Sequence, residues 1–214
     1  MPHIPRSGTA EIGVLTFEDA LVPSENAAPY DRDRWIYVPD FYSEYRYILG
    51  TRGSRPLIAV GINPSTAAPG DLDNTLKSVE RIALANGYDS FLMFNVYAQR
   101  ATDPDAMEKE MNPLLHRENM KAFAYLLDLA APAGSGVRPA VWAAWGTVIR
   151  KRPWLRDCVR DMIRIGEERE ALWFTCGARS KAGGHPHHPL YLKKDAPLDP
   201  FDVASYVDTL AAGL

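Results

Sequence analysis

Polar side chains able to position water or move a proton sit where the apolar runs of this sequence stop. The run Leu57-Ile58-Ala59-Val60-Gly61-Ile62 ends in Asn63-Pro64-Ser65-Thr66, and Asp73 follows a few residues on. Proline after Asn63 drives that asparagine toward extended backbone, which holds its amide in one place. Asn63 then serves either as a turn residue or as a fixed amide facing a ligand. Asp73 likewise has two roles open to it, a helix cap or a reactive carboxylate. Asn95 differs from both, because it falls within the apolar run Ser90-Phe91-Leu92-Met93-Phe94-Asn95-Val96. An amide inside such a run must find partners in the protein or in a ligand. Tyr97, Gln99 and Arg100 continue the polar stretch. Further on, Gly183-Gly184-His185-Pro186-His187-His188-Pro189 is a histidine loop whose prolines stiffen it and suit it to presenting one imidazole. A His-x-His-His pattern with no companion carboxylate motif is a poor metal set, so no metal and no other cofactor is expected.

These positions meet only if the chain folds around them. Four apolar runs read as buried strands: residues 57–62, 90–96, 140–145 and 171–175. Between the first two, Leu76, Val79, Ile82 and Ala83 stand at helical spacing, with Thr75 as the expected cap and Gly87 as the stop. Asp103 and Asn112, each followed by proline, cap two more helices, the longer reaching about Ala130. A helical stretch runs from Thr147 to Ile165, broken at Pro153, and Asp199-Pro200 caps a closing helix with Phe201, Val203, Val207 and Leu210 on its apolar side. Strands and helices in alternation predict a three-layer α/β/α domain with a central four-stranded, mostly parallel sheet. Its carboxyl ends would gather the polar residues above on one edge, where ligands bind in open α/β sheets.

Upstream, Arg34-Trp35-Ile36-Tyr37-Val38 and Tyr45-Arg46-Tyr47-Ile48-Leu49 suit a β-ribbon or a strand–helix pair at the edge of that sheet. Tyr42, Tyr45 and Tyr47 fit core or rim positions better than a stacking role. Residues 1–30 hold four prolines and little periodicity, so they read as an extended arm with one short strand near Gly13–Phe17. The domain itself then spans residues 31–214.

Composition narrows the function classes. A length of 214 residues suits one domain with a proper core. A net charge of -3 argues against a protein that coats nucleic acid by bulk electrostatics. Between Arg150 and Asp195, however, eleven Lys or Arg face six Asp or Glu, which leaves a local phosphate-facing surface open. No apolar run is long enough for a membrane span. Met1 to Thr9 carries Arg6 and no apolar segment, so a secretory signal is not expected and the cytoplasm is. Cys158 and Cys176 are too few for a disulfide framework and suit buried thiols in a reducing compartment. There is no internal repeat, and nothing in the pattern sets an oligomeric state.

In order along the chain, Tyr45-Arg46-Tyr47, Asn63-Pro64-Ser65-Thr66-Ala67, Asp73-Asn74-Thr75, Asn95 through Thr102, Ala144-Trp145-Gly146 and His185 through Tyr191 resemble a bacterial and phage family named domain of unknown function 1643. That resemblance spans roughly residues 40–195 and implies no activity. More distantly, the order of motifs is similar to that of the uracil-DNA glycosylase superfamily. Gly61-Ile62-Asn63-Pro64 matches a Gly-x-Asn-Pro motif there, Asn95 matches a base-reading asparagine, and Ala144-Trp145-Gly146 is comparable to a Leu-Trp-Gly-like segment. The superfamily's His-Pro-x-Pro loop is one residue longer here, which leaves His185 and His188 both open as its equivalent. With two cysteines, the four-cysteine iron–sulfur branch is excluded.

The second resemblance implies hydrolysis of an N-glycosidic bond on a flipped or modified nucleotide, with DNA or a nucleotide as partner. Asn63 or Asp73 would position water, Asn95 would pair with the base edge, and His185 or His188 would donate to the base oxygen as charge develops. Tyr97 would stack, Ser65 and Thr66 would touch phosphate, and Arg100 would complete the substrate contacts. Two other functions fit the same strand ends: an enzyme on a free nucleoside or nucleotide, and a non-catalytic module that recognises a modified base or nucleic acid.

Overall fold

The computed structural model describes residues 1–5, 8–190 and 192–212, so Tyr191, the last residue of the histidine motif, lies outside them. Its strands are β1 (Trp35–Val38), β2 (Ile48–Thr51), β3 (Pro56–Gly61), β4 (Ser90–Asn95), β5 (Ala140–Ala143), β6 (Leu172–Cys176) and β7 (Leu198–Pro200). They form one sheet in the order β1-β2-β4-β3-β5-β6-β7. The pairs β3–β4, β3–β5 and β5–β6 are parallel; β1–β2, β2–β4 and β6–β7 are antiparallel. The four apolar runs are thus the parallel centre, and the sheet has seven strands where four were expected. The ribbon joins it directly, since Leu49 and Gly50 pair with Met93 and Leu92. The seventh strand comes from Leu198-Asp199-Pro200, expected to cap the last helix, because pairing with Phe174–Cys176 holds it extended.

Side-chain alternation sorts the two faces. Leu57, Ala59, Phe91, Met93 and Trp142 point toward α2 (Asn74–Ala85), which packs with Leu76, Val79, Ile82 and Ala83. Ile58, Val60, Leu92, Phe94, Val141 and Ala143 point the other way, under α3 (Pro113–Ala130), α4 (Leu155–Glu167) and α5 (Val203–Ala212). Central strands buried on both faces carry apolar residues at every position, which is why these runs are continuous. The chain leaves β3 toward β4 on one side and reaches β5 on the other. The strand order therefore reverses beside β3, and a crevice opens at its carboxyl end.

Two helix starts differ from expectation. Asp73, not Thr75, caps α2, its Oδ1 accepting the amide of Leu76 at 2.9 Å. A carboxylate on extended backbone there satisfies an orphan N–H and complements the positive helix end. Asp202, not Asp199, receives the amide of Ser205 at the start of α5. Asn112 does cap α3, whereas Asp103 caps only a short 3-10 turn at Pro104–Ala106. In the amino-terminal arm the expected strand gives way to the short helix α1 (Phe17–Leu21), capped by Thr16. The amide of Phe17 donates to the buried carboxylate of Glu118 on α3 at 2.9 Å. Tyr45 and Tyr47 are core residues, and their hydroxyls bond the backbone of Leu15.

No helix is long and apolar enough to cross a membrane among the described residues. Cys158 and Cys176 are buried free thiols. Burial raises the pKa of both, Cys176 to about 11, so neither is a thiolate at neutral pH.

Candidate active site

A cavity of about 360 Å³ opens at the carboxyl ends of β3, β4 and β5. Its wall is built first by the turn after β3. The amide nitrogen of Asn63 donates to the carbonyls of Ala101 at 2.7 Å and Pro64 at 3.1 Å. Both of its hydrogens are engaged, so Oδ1 is left as the free acceptor. The amide of Ala101 returns a bond to the Pro64 carbonyl, and the hydroxyls of Ser65 and Thr102 meet at 3.0 Å. The two loops are laced together, which holds Asn63 in a single orientation.

Asn95 forms the floor. Gly61 lies opposite it across the β3–β4 ladder, and a Cβ at Gly61 would come within 3.0 Å of Asn95 Oδ1. The absent side chain leaves the amide room to face the cavity. Asn95 is 1% exposed, yet neither Oδ1 nor Nδ2 has a hydrogen-bond partner. Buried polar groups are nearly always paired, so an orphaned donor and acceptor on one side chain is a strong functional signal. Asn119 on α3 donates to the carbonyls of Asn95 and Val96 and fixes the strand end without touching that amide.

Arg46 lies beside this floor and is 1% exposed. Its Nη1 donates to the carbonyl of Ala67 at 3.0 Å, and its Nε has no partner. Burial and the neighbouring Arg100 push the guanidinium down to about 9, against the pull of Tyr37 and Asp73, so it stays charged at neutral pH.

Asp73, just before α2, and His188, from the histidine loop, complete the lining. The amide of Leu190 donates to His188 Nδ1 at 3.2 Å, which leaves the ring proton on Nε2 in the neutral form. Desolvation of the ring, with His187 beside it, lowers the His188 pKa against the opposing charge of Asp73. Gly146, at φ +61°, lets the loop approach the end of β5, since a Cβ there would stand 3.4 Å from that of His188.

Of the residues singled out in the sequence, the cavity brings together Asn63, Ser65, Asp73, Asn95 and His188. Four do not line it. Thr66 is half-buried beside it. Tyr97 is wholly buried, its hydroxyl bonded to Glu108 and to the amide of Asn112 and its ring packed on Trp154. Arg100 is buried too, donating to the carbonyls of Ser65 and Ala67 and to the Tyr37 hydroxyl, with Tyr42 stacked 4.3 Å away. His185 points inward, its Nδ1 2.9 Å from the hydroxyl of Tyr206, which also accepts from Trp145 Nε1. Arg46 was missed as a site residue. Its signal, a charge inside an aromatic and apolar run of sequence, is like the one that marked Asn95. Among the described residues no group of three His, Cys, Asp or Glu side chains could hold a metal.

The sequence profile of the family described as "Protein of unknown function (DUF1643)" matches residues 46–190. The chain belongs to that family. No curated protein and no solved structure matches it. The DUF1643 match opens at Arg46 and closes just after the histidine loop, so it takes in every side chain that lines the cavity.

Proposed function

We propose that this DUF1643 protein hydrolyses the N-glycosidic bond of a nucleotide, on a three-layer scaffold of the uracil-DNA glycosylase type. The observation that carries the reading is the unpartnered amide of Asn95 on the cavity floor. It offers one donor side and one acceptor side, the pattern presented by the edge of a nucleobase. Around it stand the free oxygen of Asn63, the carboxylate of Asp73 and the imidazole of His188. The order of the motifs along the chain supports the same reading.

In this reaction the bond between C1′ and the base nitrogen breaks and its electron pair leaves with the base. His188 Nε2–H donates to a base oxygen as negative charge gathers there, which stabilises the departing base. Asn63 Oδ1 and Asp73 hold water against C1′; as its oxygen bonds to carbon, Asp73 takes the proton. Asn95 keeps the base in register and contributes orientation.

The test is release of free base from labelled uracil-, hypoxanthine- or modified-base DNA, and from the corresponding nucleosides and nucleotides. Wild-type protein is compared with Asn63→Ala, Asp73→Asn and His188→Gln. Loss of one catalytic proton transfer should slow release by roughly a hundredfold or more. Binding with no release from any substrate would make the protein a recognition module and sink the hydrolase reading, as would release that all three substitutions leave intact.

A further inference from the structure

The charge in the cavity is not accounted for by base recognition. Arg46 and Arg100 are both buried, share the carbonyl of Ala67, and each has an Nε without a partner. Neither takes part in a salt bridge among the described residues. Removing two such cations from water is costly unless something else supplies negative charge. Asp73 offsets Arg46 in part, while Glu44 and the Tyr37 hydroxyl do the same for Arg100, and neither guanidinium has a carboxylate within ion-pair distance among the described residues.

A second group of donors converges on the same place. Asn74 and Thr75, the first residues of the twelve-residue helix α2, line the cavity. The amide of Leu76 is taken by Asp73, but those of Asn74 and Thr75 precede the first intrahelical bond and have no helical acceptor. They add the positive end of a helix to the field of the guanidinium. Ser65 and Thr75, which carry hydroxyls, also line the cavity.

We propose that Arg46 and the first turn of α2 form a subsite for a phosphate group within this cavity. The proposal rests on the nucleotide reading only for what carries that phosphate. A planar carboxylate would meet the fork of one arginine. A tetrahedral anion with more oxygens can also receive backbone amides and hydroxyls arriving from a second direction. Arg100 acts behind Arg46, bracing the Ala67 carbonyl and adding charge without lining the cavity. The carboxylate of Asp73 opposes the anion and sets an upper limit on its affinity.

Isothermal titration of the full chain with inorganic phosphate tests the subsite alone. Wild type should bind saturably, Arg46→Met about tenfold more weakly or worse, and Arg46→Lys between the two. Asp73→Asn keeps a good helix cap while removing the repulsion, so it should bind phosphate more tightly. Should Arg46→Met fail to fold, Arg46→Lys and Asp73→Asn decide the matter. No saturable binding by wild type, or the same affinity in Asp73→Asn, overturns the proposal.

Titrations with a nucleoside, its 5′-monophosphate and a single-stranded oligonucleotide identify the carrier. A monophosphate that outbinds the nucleoside supports a free nucleotide, and an oligonucleotide that displaces phosphate supports a backbone phosphate. A nucleoside that binds as tightly as its monophosphate, together with an oligonucleotide that leaves bound phosphate in place, overturns the subsite. Phosphate binding without base release would overturn the hydrolase reading and leave the subsite standing; base release without phosphate binding would do the reverse.

Discussion

Replacing Asn95 by leucine should make the free protein more stable while removing its ability to recognise a base. The two side chains have nearly the same shape, so the substitution changes polarity more than volume. In the wild type both amide atoms are buried and unpaired. Burying an amide without compensation costs about 1–3 kcal/mol by mutational measures. Leucine removes that cost and adds apolar contact with Met93 and the surrounding strands. A gain of about 2 kcal/mol is expected, equivalent to about 4–8 °C in Tm for a domain of this size. Calorimetry and denaturant unfolding of wild type and Asn95→Leu would measure it. Base release should be abolished in the same variant, and binding of inorganic phosphate at Arg46 should persist. A loss of stability greater than about 1 kcal/mol would refute the reasoning, because it would mean that the amide is satisfied before any ligand arrives.

Two further outcomes follow from hydrogen bonds outside the proposed chemistry. Tyr206→Phe strands Trp145 Nε1 and His185 Nδ1, both buried, so it should lower stability by about 2 kcal/mol; an unchanged Tm in calorimetry would refute this. Asp89 accepts bonds from Ser54, Arg55 and Ser90, and although desolvation raises its pKa, these bonds outweigh it and hold the carboxyl well below the usual range. Its folded pKa lies below its unfolded one, so its stabilising contribution is full above about pH 4 and is lost as pH falls further. The denaturation midpoint of wild type should therefore fall more steeply than that of Asp89→Asn between about pH 5 and pH 3, and parallel profiles would count against the bonding described.

The parallel centre of the sheet was legible because strands buried on both faces carry an uninterrupted apolar signal. The periphery was not. Leu198-Asp199-Pro200 carries a capping signature, and only its pairing with β6, a contact some twenty residues distant in sequence, makes it a strand. Thr16 and Asp19 do form a local cap, but the β-branched and aromatic residues around them suggested extended chain instead. The same limit applies at the site. Asn95 stood out because polarity inside an apolar run is a local fact. The choice between His185 and His188 depended on Tyr206, which α5 brings in after the loop has ended. Arg100 and Tyr97 looked like ligand contacts, but their partners, Tyr37 and Glu108, come from other segments. Arg46 carried a local mark like that of Asn95, a charge within the aromatic and apolar run Tyr45-Arg46-Tyr47-Ile48, but that run reads as sheet edge and gives no sign that Ala67 and the end of β3 close over it.

The incomplete bonding of the cavity floor has a practical consequence. A molecule that pairs Asn95 and neutralises Arg46 binds the folded chain and has no comparable purchase on the unfolded one. At a hundred times its dissociation constant such a ligand adds about 2.7 kcal/mol to stability, which is about 5–11 °C in melting temperature. The free protein can therefore report its own substrate: screened against nucleobases, nucleosides, nucleotides and simple anions, it should melt highest with the compound that resembles what the cavity evolved to hold.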